Sequence, residues 1–143
     1  MKQYFVYVIE LDSAVADLRK FRAKNPKYIN GNGCVYVGQS SRKPALRFEQ
    51  HKEGYKSNKY AKYYGIKLRP DLYDKYNPIP TRKDAEEIEE MLGKELRSRG
   101  YGVWFNWLIP VEQNFLPVDI YVWWGVILVT LWKLIPNFYC SFV

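Results

Sequence analysis

The stretch CVYVGQSSRKPALRFEQHKEG, residues 34–54, decides how the chain is read. Its first four residues are apolar and rich in strand formers, so they read as a β-strand that breaks at Gly38. Ser40 and Ser41 can supply capping oxygens, Pro44 suits a first helical turn, and Gly54 suits a helix stop. A helix is expected between them. It carries Arg47 and His51, the only histidine of the chain, four apart and so on one face. Arginine suits bidentate contact with phosphate, and histidine can donate to a phosphate oxygen or move a proton. Taken alone, such a pair more often marks an ordinary solvated helix face.

Upstream, residues 4–9 (YFVYVI) are aromatic and β-branched and read as another strand. Val15, Leu18 and Phe21 recur at nearly helical spacing, which predicts a short helix over 12–24. Residues 25–33, dense in Asn, Gly and Pro, read as a loop. Downstream, KSNKYAKYY (56–64) predicts a short helix with lysines and tyrosines interleaved, and RPDLYDKYNPIP (69–80) an irregular connection with three prolines. Thr81 followed by Asp84 resembles a capping box ahead of a helix over 85–99, which Gly100 ends. Residues 101–105 read as a last short strand, and the chain has no internal repeat.

Charge divides the 143 residues unevenly. Residues 1–106 hold 21 Lys+Arg against 13 Asp+Glu, while 107–143 hold one lysine and two carboxylates. The first part is a basic domain whose surface attracts polyanions. Cys34 and Cys140 have no metal or disulfide spacing, no signal peptide is visible, and a reducing, cytoplasmic setting is expected.

The helix over 85–99 holds the most informative carboxylate. At about 100° per residue, Ala85, Ile88, Leu92 and Leu96 form the apolar stripe, and Glu89 falls inside it. Glu86, Glu87 and Glu90 fall away from it, as solvated helix formers do. An inward carboxylate must be paired, hydrogen-bonded or bound to a cation, because burying an unpaired charge is costly. A salt bridge satisfies that demand; so does a hard cation such as Mg²⁺, which prefers oxygen and keeps several waters. Tyr7 and Tyr36 stand on the two strand candidates, where tyrosines usually pack.

In combination and order these residues resemble the GIY-YIG nuclease family. Phe5-Val6-Tyr7 stands where the family has Gly-Ile-Tyr, without its glycine, and Tyr36-Val37-Gly38 stands for Tyr-Ile-Gly. YVGQSSRKPALRFEQH is similar to the run into the arginine helix, and AEEIEEMLGKELRSRGYGV to the metal-binding helix with Glu89 at the glutamate position. The long insertion between the two tyrosine strands is a departure. The resemblance implies an α+β fold over residues 1–106, a small central three-stranded, mainly antiparallel sheet flanked by helices. It implies a DNA endonuclease using Mg²⁺ or Mn²⁺, with Glu89 as the metal ligand. Tyr36, with Tyr7 nearby, would position or deprotonate the attacking water. Arg47 would hold the scissile phosphate, and His51 would assist there or tune a tyrosine. Arg42, Lys43, Lys52, Lys56, Lys59, Lys62 and Asn106 are candidate DNA contacts.

Residues 107–143 form an apolar tail with nine aromatics. Three readings stand: a membrane anchor or interfacial segment through 118–136, a segment packing on the domain or on a second subunit, or a shifted reading frame. Two other functions stand beside the nuclease. One is a catalytically silent nucleic-acid-binding module on the same fold, the other a small membrane-associated basic protein.

Overall fold

A computed structural model of the chain describes residues 2–105. Asn106 and the tail, with its expected membrane contact through 118–136, lie outside the described residues. Among the described residues no helix is long and apolar enough to cross a membrane.

The expected first strand is β1, Phe5–Leu11, and the strand that opens the deciding stretch is β2, Cys34–Ser40. They pair antiparallel, with Tyr7 opposite Gly38 and Ile9 opposite Tyr36. The sheet has four strands where three were expected, in the order β3-β1-β2-β4. The unread strand is β3, Gly65–Leu68, antiparallel to β1 on its outer side. Four residues of GIKL carry too little alternation to signal a strand; β1's open edge creates it by offering backbone partners. The last strand, β4 (Gly102–Trp104), runs parallel to β2. The sheet is therefore mixed, with its central pairings antiparallel.

The helix expected over 12–24 is instead a 3-10 turn, Ser13–Asp17, followed by α1, Arg19–Lys24. Leu18 sits between them in extended backbone, and Asp12 caps the turn by accepting from the Ala14 N–H. Spacing of three residues suits a 3-10 turn as well as an α-helix, so the apolar pattern did not separate them. Next come α2 (Pro44–Glu53), α3 (Lys59–Tyr64), α4 (Pro70–Tyr73) and α5 (Arg82–Ser98). Gly54 ends α2 in the left-handed conformation, as expected, with φ of 91°. The serines do not cap α2, however: Lys43 holds the N-cap position, and Ser40 Oγ accepts from the Arg42 N–H instead. Thr81 does cap α5, its hydroxyl accepting from the Asp84 N–H at 3.1 Å.

The connection over 69–80 completes the free edge of β1. The Arg69 N–H donates to the Val8 carbonyl. Asn77 spans Val6 through its side-chain amide, accepting from the N–H and donating to the carbonyl, each at 2.9 Å. Tyr4 and Ile79 then form an isolated bridge. A side chain thus stands in for a missing ladder rung.

Five residues of α5 are buried: Ala85, Glu89, Leu92, Gly93 and Leu96. They are the apolar stripe read from the period, less half-buried Ile88 and with one glycine added. A Cβ on Gly93 would lie 2.6 Å from the Phe105 ring, so the helix carries glycine where the chain beyond β4 crosses it.

Candidate active site

Tyr7 and Tyr36 both rise toward Gly38, Tyr7 from across the ladder and Tyr36 from two residues back on the same strand. A Cβ at position 38 would lie 2.6 Å from Tyr7 Oη and 3.0 Å from the Tyr36 ring. The glycine is required by the space the two phenols take. Gly38→Ala is accordingly expected to push the Tyr7 ring off its seat, costing about 2 kcal/mol of stability by overpacking. Denaturant titration measures the loss, and an unchanged midpoint would show that the ring has room to move.

His51 reaches this pair from α2. It is 0% exposed, and its Nε2 lies 2.8 Å from Tyr7 Oη. Its ring meets Tyr36 edge-on, with centroids 5.4 Å apart. On the far side Nδ1 lies 3.1 Å from Ser57 Oγ. That hydroxyl has one proton and faces two carbonyls, those of His51 at 2.9 Å and Asn58 at 3.1 Å. Carbonyls only accept, so the serine proton goes to one of them and Nδ1–H donates to the serine oxygen. The Asn58 N–H, 3.4 Å from Nδ1, would favour the opposite tautomer, but it is the longest of these contacts. Nε2 is then left as the acceptor for the Tyr7 hydroxyl.

The titration behaviour follows from burial. Tyr7 is pushed up to about 12 by desolvation, against the opposing charge and hydrogen bond of Arg47. Tyr36 is raised well above the usual phenol value by burial, then by Tyr7 and Glu89. His51 is lowered to about 4 by burial and then by Arg47. At neutral pH the cluster holds two protonated phenols and one neutral imidazole.

Glu89 is 6% exposed on α5, and its negative charge acts on both phenols. The inward placement read from the helical period holds. Among the described residues no three His, Cys, Asp or Glu side chains converge as a metal cage. A buried carboxylate, offering only oxygen donors, suits a hard, water-rich divalent cation and does not suit a tetrahedral zinc site.

Arg47 is half-buried between this cluster and the surface. Its guanidinium donates to the carbonyls of Tyr55 at 3.1 Å and Lys56 at 2.7 Å. Lys56 has φ of 43°, and among the described residues no other non-glycine has positive φ. Arg47 thus holds a strained turn in place while its charge bears on Tyr7.

Arg47 also lines a cleft of about 380 Å³ at the end of the sheet where β1 begins and β2 ends. Lys2, Arg42, Lys56 and Arg82 line it too, and among the described residues no carboxylate does. Tyr7, Tyr36, His51 and Glu89 do not line it. Of the expected DNA contacts, Arg42 and Lys56 are in the cleft, while Lys43, Lys52, Lys59 and Lys62 are not. Lys52 donates to the Gly65 carbonyl at 2.8 Å and so ties α2 to β3. Lys59 and Lys62 stand over the rings of Tyr60 and Tyr63. Asn106 lies outside the described residues. Lys2, Arg82 and Ser57 were not singled out from sequence. Lys2 and Arg82 come to the cleft from segments 80 positions apart, and a serine in a polar loop carries no local signal.

The fold thus brings Tyr7 and His51 into contact, sets Arg47 at a basic cleft and turns Glu89 inward. The family model for the GIY-YIG catalytic domain matches residues 3–102. The chain belongs to the GIY-YIG family. Comparison with curated proteins and with solved structures finds no match. Membership in the GIY-YIG family carries a nuclease-type function in general. The missing first-motif glycine fits that membership: Phe5 stands opposite Ser40 at the start of β1, two residues before Tyr7.

Proposed function

We propose that the domain is a divalent-metal-dependent endonuclease that hydrolyses DNA phosphodiester bonds. The observation that carries the reading is the Tyr7–His51 contact at 2.8 Å, joined through Arg47 to a cleft whose charged lining among the described residues is all cationic. Arg47 belongs to both, which makes it the natural contact for the scissile phosphate. Tyr7, Tyr36, Arg47, His51 and Glu89 are the residues to which we assign the reaction.

Water attacks phosphorus as the bond to the leaving sugar oxygen breaks. A tyrosine whose pKa stands near 12 is a poor base by itself. Its hydroxyl can take the water proton only if its own proton leaves, and neutral His51 Nε2 is placed to receive it. His51 thereby tunes Tyr7, and Tyr7, rather than Tyr36, is the phenol with a direct proton acceptor. Tyr36 packs on the His51 ring and holds the imidazole in place against Tyr7. Arg47 stabilises charge growing on the phosphate oxygens. Mg²⁺ or Mn²⁺ held at Glu89 would supply neutralisation of the phosphate and the leaving oxygen.

Supercoiled plasmid incubated with the protein and Mg²⁺ or Mn²⁺ should be nicked. Arg47→Ala should slow nicking about 100-fold, the usual loss for one transition-state donor. A wild-type protein inert with both metals and on linear, supercoiled and single-stranded DNA would end the enzymatic reading.

A further inference from the structure

The cleft beside Arg47 has aromatic walls as well as cations. Tyr55 lines it with 51% of its surface exposed, and Lys56 Nζ stands 5.6 Å from the ring centroid. Tyr4 also lines it, with Lys2 Nζ 5.7 Å from its ring. Tyr55 is presented by fixed backbone: its N–H donates to the Gln50 carbonyl at 2.9 Å and its carbonyl accepts from Arg47. The left-handed turn at Lys56 follows at once. Arg82 also pairs with Glu86 outside the cleft lining, so its charge there is partly neutralised and four unshared cations remain.

A continuous duplex would offer this surface phosphates and sugars, because its base faces are stacked on one another. An unpaired segment offers base faces too, and a base stacked on an aromatic ring beside cations is the usual way single strands are held. We propose that the cleft binds an unpaired segment of nucleic acid, with its phosphates on the cations and a base stacked on Tyr55. The substrate class is then DNA containing unpaired nucleotides, such as a gap, flap or open end. This rests on the nuclease reading for the fate of the strand, and on the cleft alone for its binding.

The test is fluorescence anisotropy in EDTA, where no cleavage occurs, with a labelled oligothymidylate and a blunt duplex of equal length. Tyr55→Ala should weaken oligothymidylate binding about tenfold and leave duplex binding unchanged. Tyr55→Phe, which keeps the ring, should bind as wild type does. So should Tyr63→Ala, which removes an even more exposed tyrosine (71%) lying beside Lys62 but outside the cleft. The ring of Tyr55 is exposed and its anchors are backbone, so an unchanged melting temperature is expected for the alanine variant. Equal weakening of single strand and duplex would overturn the stacking assignment, and so would no weakening of either. A protein that binds in this way but never nicks plasmid would sink the nuclease reading and keep the cleft. One that nicks yet ignores Tyr55→Ala would do the reverse.

Discussion

Glu89→Gln is expected to lower plasmid nicking about a thousandfold while leaving the melting temperature unchanged or raised. The two halves of that expectation have one cause. Glu89 is 6% exposed, and its charge bears on two buried phenols, whose pKa values it raises. Taking a carboxylate out of water costs several kcal/mol, and glutamine keeps the shape and an accepting oxygen without that cost. A residue present for a cation loses its purpose when the charge goes. Neutralising phosphate charge is worth several kcal/mol of barrier, and each 1.36 kcal/mol is tenfold in rate, which gives the thousandfold figure. Nicking and thermal melting of the same preparations check it. Full nicking by Glu89→Gln would remove the metal assignment, and a collapsed melting temperature with residual nicking would make Glu89 a structural residue.

Acid should unfold the protein earlier than its carboxylates alone require. His51 falls from the ordinary 6.5 to about 4 on folding, mainly because it is buried and secondarily because Arg47 lies beside it. Its folded value is the lower one, so between those limits the unfolded chain binds a proton that the folded chain refuses. The stabilising contribution of a neutral His51 is therefore complete above about pH 6.5 and lost as pH falls toward 4, amounting to about 3 kcal/mol. Urea denaturation of wild type and His51→Gln at pH 7, 5.5 and 4 isolates it, because both proteins share every carboxylate. The wild-type free energy should fall by the larger amount. Equal falls would mean that His51 is charged in the folded protein, and its Nε2 would then be a donor to Tyr7, which the proton path from Tyr7 does not allow.

Both expectations use residues with different claims to be readable. Glu89 was legible because a helix repeats every 3.6 residues, so its face follows from its neighbours in sequence. Arg47 and His51 shared a face for the same reason, but only the fold shows that they meet different partners. His51 is turned fully inward onto Tyr7, and Arg47 spans the cleft and the Tyr55–Lys56 turn. Ser57, which orients the imidazole, stood in a polar loop with no pattern to mark it. The serines that looked like caps for α2 were a misreading of the same local kind: Ser40 ends β2, and its oxygen serves the turn.

The sequence by itself determined the elements whose rules are local: β1 and β2 from their apolar runs, and α2 and α5 from period, proline, cap and glycine. With them came the inward carboxylate and the order of motifs that marks the family. Tertiary structure decided the rest, because those features depend on partners far along the chain. β3 exists because β1 has an edge to fill, and Asn77 spans Val6 for the same reason. Gly38 is needed because Tyr7, 31 positions earlier, stands opposite it in the ladder. The cleft gathers Lys2, Arg42, Lys56 and Arg82 from four separate segments. No local pattern links residues that far apart; they meet because backbone pairing and core packing bring the ends of the elements together.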